Sequence, residues 1–293
     1  MATLRELKGR IGSVASSEKI TGAMKMISSA KMHKAEQSLR RLLPFRNQIE
    51  SIIGNLLSAD TEFSSPLLEA REVKQVAVVV LGSDDGLCGA YNVNIFKRLL
   101  SIVTEYREKF GPEVNISICP VGNKMRKAVS KIIGDNISLK VIDGVDSKTS
   151  GDGVRVFIEN LQQEFLSGHC DKVDVLYMNF KSVSRQILAH EQLLPIVQES
   201  FVVTDSKHIC KPYLFEPDAN TIFQSVLPMY LLAMMQDVFT ENRASEQAAR
   251  VMAMQSANDN AKKLLEQLHL EYNKLRQQSI TTELLDILGG QIK

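Results

Sequence analysis

Residues 246–290 read EQAARVMAMQSANDNAKKLLEQLHLEYNKLRQQSITTELLDILGG. After Pro228 the sequence has no further proline, and no glycine until Gly289. A stretch of about 60 residues without a breaker is too long for an ordinary globular helix. Within it Ala257, Ala261, Leu264, Leu268, Tyr272 and Leu275 step by 4, 3, 4, 4 and 3, which is coiled-coil spacing with one irregular step.

The other end of the chain answers it. From Thr3 to about Leu57 there is one proline, Pro44, and no strand-like run. Leu4, Leu7, Ile11 and Val14 form an apolar seam, and Leu42, Phe45, Ile49, Ile52 and Leu56 restore it. Between them, residues 15–40 are small, polar, basic or Met, and the apolar stripe thins. This piece is also basic: residues 1–58 hold ten Lys or Arg against four Glu.

Residues 73 to about 200 have another texture. Val76–Leu81 is a continuous β-branched run, the mark of a strand buried on both faces. Helix-period residues follow from Tyr91 to Lys109. Then come strand Val114–Cys119, helix Lys124–Ile133, strand Ile137–Ile142 and a helix from about Val154 to Leu166. Asp174–Phe180 and Gln186–Ile196 read as strands with no helix between them. Alternation in units of about 30 residues predicts an open α/β sheet with an antiparallel edge. Pro212, Pro217 and Pro228 mark the next transition.

The fold expected is therefore of the α/β class. An antiparallel coiled coil of long N- and C-terminal helices carries a Rossmann-like open α/β domain. The divisions are a helix over 1–58, an α/β foot over 73–205, and a closing helix over 213–293 that pairs with 1–58. In an antiparallel pair facing indices have a constant sum. Taking Leu57 level with Pro217, Met24 faces the neighbourhood of Arg250 and Leu4 that of Leu270. Residues beyond about 271 then project as a single helix of roughly 30 Å.

Composition narrows the function. With 35 basic and 34 acidic side chains the chain is near neutral, which argues against a general nucleic-acid binder. No apolar run reaches membrane-span length; Val76–Leu81 is short, and Leu227–Met235 is interrupted by Pro228 and Tyr230. The opening MATLRELKGRIG has no apolar signal core or import presequence, so neither export nor organelle import is expected. Cys88, Cys119, Cys170 and Cys210 are irregularly spaced, and free thiols are expected. His169-Cys170 and His208-x-Cys210 offer two ligands each, too few to close a zinc site.

The one glycine-rich loop is Gly82-Ser-Asp-Asp-Gly86-Leu-Cys-Gly89. It follows a strand and precedes a helix, where a dinucleotide fold places a pyrophosphate. The spacing is G-x-x-x-G-x-x-G rather than G-x-G-x-x-G, no P-loop exists, and Asp84 and Asp85 would repel a phosphate. The bland alternative is a tight strand-to-helix turn with an Asp capping the helix. Ser83 and His190 lack any nucleophile elbow, and no catalytic constellation emerges.

Residues 5–35, RELKGRIGSVASSEKITGAMKMISSAKMHKA, resemble the opening helix of the gamma-subunit family of F-type ATP synthases. The pattern is I-x-S-V…K-I-T-x-A-M-x-M…A-K. Residues 246–290 resemble that family's closing helix, and SDDGLCGAYN (83–92) and YLFEPD (213–218) match its middle markers. The resemblance runs from about residue 4 to 290. Asp85 departs from the usual Arg, and Val251-Met252 inverts the commoner order. The regulatory cysteine insertion of chloroplast relatives is not evident, and the sequence looks bacterial.

The resemblance implies a central rotor shaft with no cofactor and no catalysis of its own. Proton-driven rotation of the membrane c ring would turn it, and its asymmetry would cycle the catalytic beta subunits. Its partners would be the ring of alpha and beta subunits, epsilon and the c ring. One copy would serve each complex, at the cytoplasmic face of the plasma membrane and touching the membrane only through the c ring. By motif match Met24, Lys25 and Arg250 lie at the level of beta's moving lever, and Arg276, Gln277 and Thr281 in the upper shaft. Asp205, Ser206, Lys207, His208 and Lys211 match the region near the c ring and epsilon. The competing reading is a nucleotide-dependent enzyme with helical arms, using Gly82–Gly89.

Overall fold

Thr3 starts the first helix. Its hydroxyl accepts from the Glu6 amide at 3.3 Å, while its own amide donates to Glu6 Oε2 at 2.8 Å. This reciprocal capping box satisfies two donors that a helix start otherwise leaves bare. In the computed structural model, which describes residues 3–57, 64–134, 136–142, 144–197, 201, 216 and 218–290, helix α1 then runs Leu4–Leu57 and accommodates Pro44. Asp218, the last residue of YLFEPD, opens the closing helix, accepting from the Thr221 amide at 2.8 Å and the Thr221 hydroxyl at 2.6 Å. That helix spans Ala219–Gly290, 72 residues, or about 108 Å.

Between them lie β1 (Gln75–Leu81), α2 (Tyr91–Phe110), β2 (Asn115–Val121), α3 (Asn123–Val129), β3 (Ile137–Leu139), α4 (Asp152–Leu166), β4 (Lys172–Ser182) and β5 (Arg185–Leu194). The closing helix is α5. The sheet order is β3-β2-β1-β4-β5, parallel throughout except for β5, which pairs antiparallel with β4. The open sheet and its antiparallel edge are as the sequence predicts. Two elements are shorter than expected. The second helix stops at Val129 rather than Ile133, because the chain turns to bridge Gly134 with Ile137. The third strand ends at Leu139 rather than Ile142, where its pairing with β2 stops.

Strand alternation divides the core in two. Val76, Val78 and Val80 pack with Ile116, Ile118 and the apolar faces of α2 and α3. Ala77, Val79 and Leu81 point the other way, against Phe157, Leu161 and Phe165 of α4. That second layer also takes Ile49, Ile53 and Leu56 from α1, and Phe223, Leu227, Leu231 and Val238 from α5. Here α5 is apolar and long enough, by composition, to cross a bilayer, contrary to expectation. More than half of that stretch is buried inside the fold, as a core helix requires.

Away from the α/β domain the two long helices touch chiefly each other. In α1 the inward positions run Leu4, Leu7, Ile11, Val14, Glu18, Thr21, Lys25, Ser28, Met32, Ala35, Leu39, Leu42, Arg46, Ile49, Ile53 and Leu56. The 3-4 spacing never breaks; what fades between Val14 and Leu39 is only the apolar character of the residues that carry it. In α5 the inward positions are Val251, Met254, Asn258, Ala261, Leu265, Leu268, Tyr272 and Leu275. The irregular step in the sequence reading disappears once Asn258 and Leu265 replace Ala257 and Leu264. Leu264 faces outward.

Asn258 fixes the register. Its Nδ2 donates to the Glu18 carbonyl at 2.7 Å and lies 3.3 Å from Thr21 Oγ1. Nearer the foot, Arg46 meets Asp237 at 3.6 Å. Met24 therefore faces α5 about one turn beyond Arg250, and Leu270 is 71% exposed rather than opposite Leu4. The offset arises at the foot, where Ser64 already meets Asn220 and Gln224, so residue 217 is not level with residue 57.

Candidate functional site

In an open α/β sheet, ligands enter the crevice at the strand carboxyl ends where strand order reverses. Here that point lies between β1 and β4, next to the Gly82–Gly89 loop. A side chain of α5 already occupies it. Asn242 is 1% exposed. Its Nδ2 donates to the Gly82 carbonyl at 3.2 Å, and its Oδ1 accepts from Tyr91 Oη at 2.6 Å and from the Met178 amide at 3.4 Å. One carboxamide thus ties the end of β1, the start of α2 and the middle of β4 to the shaft helix.

The loop around it is closed by its own contacts. A side chain at Gly82 would meet Met125 Cβ at 2.6 Å, and one at Gly122 would meet the Ser83 backbone at 2.9 Å. Asp84 does cap a helix, but the next one along. It accepts from the Asn123 amide at the start of α3 at 2.9 Å, and from the Ser147 hydroxyl at 2.7 Å. The start of α2 has no side-chain cap. No pyrophosphate could enter without displacing Asn242. Ser83 and His190 are not brought together either. Ser83 Oγ donates to the Asp85 carbonyl, whereas His190 lies two strands away with Asp174 at 3.0 Å.

The expected contact residues fall into four groups. Met24 and Lys25 are half-buried, Lys25 on the seam itself. Arg276, Gln277 and Thr281 are exposed near the free end of α5. Arg250, placed by motif match at the same level as Met24 and Lys25, is buried and turned inward. Its guanidinium donates to Glu246 Oε1 at 2.7 Å, the Gly86 carbonyl at 3.2 Å and the Asp85 carbonyl at 3.4 Å. It clamps the glycine-rich loop to α5. The physical reason is the register and the fourfold spacing from Glu246, which aim Arg250 at the domain instead of at solvent. Asp205, Ser206, Lys207, His208 and Lys211 lie outside the described residues, as does Cys210.

Buried ionisable groups gather where α5 crosses the sheet. Burial pushes the Asp237 carboxyl up to about 6, against the opposing pull of Arg46. Burial, with the Asp237 charge beside it, pushes Glu241 up to about 7. Cys88, Cys119 and Cys170 are free and buried, and burial raises the Cys119 thiol to about 12 and the Cys170 thiol to about 11, far from reactive. The sequence reading passed over Asn242 and Asn258. The one signal was asparagine at positions that a helix otherwise gives to apolar residues.

These features define a class: a two-helix shaft seated on an open α/β domain whose ligand crevice is filled by the shaft. A sequence profile described as ATP synthase matches residues 3–291. An ATP synthase gamma chain of Phocaeicola vulgatus is 42% identical over 296 residues, covering 100% of both chains. That of Bacteroides thetaiotaomicron is 40% identical over 302 residues, again with full coverage of both. Among solved structures, a chain of the Euglena gracilis mitochondrial ATP synthase superposes with a TM-score of 0.65 at 20% identity, covering 98% of this chain and 93% of that one. A chain of the Tetrahymena thermophila central stalk and c ring gives 0.59 at 21% identity, covering 81% and 99%. The chain belongs to the ATP synthase gamma-chain family.

Proposed function

We propose that this chain is the central rotor shaft of an F-type ATP synthase, coupling rotation of the membrane c ring to conformational cycling of the beta subunits. The observation that carries this reading is the continuity of α5. One unbroken helix is a core element of the α/β domain and, further on, half of the coiled coil, so torque on the domain reaches the shaft without a joint. The chain itself is non-catalytic on this reading, because Asn242 fills the crevice that a nucleotide enzyme with helical arms would need. Its place is the cytoplasmic face of the plasma membrane, one copy per complex.

The shaft's surface supports partner contact. Ile20, Met26 and Ile27 on α1 and Met252, Leu264 and Leu270 on α5 are exposed apolar side chains along a thin rod. Beyond the first residues of α1, Ile280, Leu284, Leu285, Ile287 and Leu288 project unpaired. We assign Met24 and Lys25 to the level of beta's lever, and Arg276, Gln277 and Thr281 to the upper bearing. Arg250 serves that lower level by holding Gly86. Residues 205–208 and 211 are assigned to the foot, near the c ring and epsilon.

Affinity purification of the tagged chain tests the assignment. One copy should come with three alpha and three beta subunits; equimolar recovery, or none, would refute it. Met24→Lys tests the coupling role on membrane vesicles. ATP hydrolysis should be largely retained while proton pumping per ATP falls, whereas equal loss of both would mark an assembly defect.

A further inference from the structure

The β4–β5 hairpin overhangs the rest of the sheet. β4 pairs with β1 only as far as Leu176, and from Tyr177 to Ser182 its strand partner is β5. Phe180, near the tip, packs against Ala35 and Leu39 of α1 and Ala244 of α5. The hairpin thus lies as a strap across the root of the coiled coil.

Beneath the strap, hydrogen-bond donors run short. Tyr177 Oη gives its one proton to Glu191 Oε1 at 3.0 Å. Asp237 Oδ1 and Oδ2, Glu241 Oε2 and Asn179 Oδ1 are buried and have no hydrogen-bond partner. Asp237 is only 2% exposed. Every one of these atoms is an acceptor, and a buried acceptor left unpaired is costly.

The charges deepen the shortage. Glu241 is faced by Asp237, one turn earlier on α5, by Glu191 of β5, and by Tyr177 and Lys181 of β4. Asn179 stands beside Tyr177. From α1, Arg46 Nε holds Glu50 at 2.8 Å, and its Nη1 comes within 3.6 Å of Asp237. Tyr230 of α5 stands by Arg46, Glu50 and Glu191. Four carboxylates therefore share one half-buried cation, since Lys181 is exposed and well solvated. Among the described residues no three His, Cys, Asp or Glu side chains are grouped to hold a metal ion. The smallest species that meets the shortage is a proton. On Glu241 it gives a donor to the side chain one turn away, Asp237, and removes the charge that faces Glu191. Burial favours the protonated form of both carboxyls.

We propose that a proton on Glu241 latches the β4–β5 hairpin onto the shaft, and that losing it lets the hairpin lift from α5. Ionised Glu241 confronts Glu191 and Asp237 as like charges in a buried space. The hairpin is the element able to yield, because β5 has no strand on its outer side among the described residues. The latched state holds the proton more tightly than the open one, so latching is strongest in acid and fades as pH rises through about 7. The latch belongs to the chain itself, and its test stands apart from the rotor assignment.

Pulsed dipolar spectroscopy of the full chain measures it, with spin labels on Ser184→Cys and Met252→Cys, both exposed positions, in a Cys210→Ser background. One narrow distance is expected at about pH 5.5. At about pH 8 a longer distance should appear in about a tenth of the chains or more. Glu241→Gln keeps a donor and drops the charge, and should hold the narrow distance at both pH values. Glu191→Gln removes one of the like charges, and should shrink the longer population at the higher pH. Thermal melting of each variant confirms the fold. A distance that ignores pH, or the same broadening in Glu241→Gln, overturns the proposal. Closure at the higher pH by millimolar magnesium would show a cation site and overturn the proton latch.

Discussion

The same helix lives two lives. From Ala219 to about Met254, α5 is enclosed on nearly every side by the sheet, α4 and the end of α1. From Gln255 onward it keeps only a narrow stripe against α1, and from Ile280 to Leu288 it has none. The difference teaches where stability and function reside. The enclosed half is held by apolar burial and fixes the chain's fold. The open half buries too little to be stabilised by its own seam, and its exposed small and Met side chains await other surfaces.

Core truncation should separate the two halves most strongly. Phe223→Ala removes a fully buried side chain in the enclosed half and should cost about 3–5 kcal/mol. Leu268→Ala, in the shaft seam, should cost about 2 kcal/mol at most, because the thin pair can close around the loss. Urea midpoints of the two variants measure the contrast. Equal losses would mean that the shaft is as firmly packed as the foot.

The two buried asparagines sharpen the contrast. Asn242→Leu leaves the Gly82 carbonyl and the Met178 amide without their side-chain partner and Tyr91 Oη with only the residue-242 carbonyl, and should cost about 3 kcal/mol. Asn258→Leu places an apolar residue at a seam position, where a polar one sets register at some cost in stability. It should be neutral or raise the melting temperature while loosening the Glu18–258 alignment. A marked destabilisation by Asn258→Leu would show that the shaft depends on this bond for more than register.

The pH dependence should also belong to the enclosed half. Asp237 faces Arg46 and Glu50, and Glu241 faces Asp237, Tyr177, Glu191 and Lys181. Both folded values are raised, to about 6 and about 7, so between about pH 4 and 7 the folded chain holds protons that the unfolded chain has released. Their contribution to stability is full below that window, falls as pH rises through it, and levels off above about 7. Denaturation midpoints across the range should show this slope, and the double variant Asp237→Asn, Glu241→Gln should flatten it. An unchanged slope would place the titration elsewhere.

Much of this was legible in the sequence because periodicity reports burial. Val76–Leu81 announced a central strand, and the chain ends announced long helices by their lack of breakers. What stayed hidden depended on partners distant in sequence. The seam between Val14 and Leu39 is carried by Glu18, Thr21, Lys25 and Ser28, residue types that give no hydrophobic signal at their positions. The inward turn of Arg250 stayed hidden because two of its three acceptors are carbonyls about 165 residues away, and backbone groups are silent in a sequence. Asp84 looked like a cap for the next helix in line and instead holds the start of α3. The plug of the crevice came from α5, an element that no local pattern connects with the Gly82 turn.

The central claim is that α1 and α5 turn as one body. Thr21 and Asn258 touch across the seam, so cysteines at these two positions should oxidise readily to a disulfide. The direct measurement is ATP hydrolysis by the assembled complex before and after that oxidation. A rigid shaft predicts efficient cross-linking with the rate unchanged. Failure to cross-link would contradict the register, and a cross-link that halts hydrolysis, reversed by reductant, would show that the two helices must move past each other.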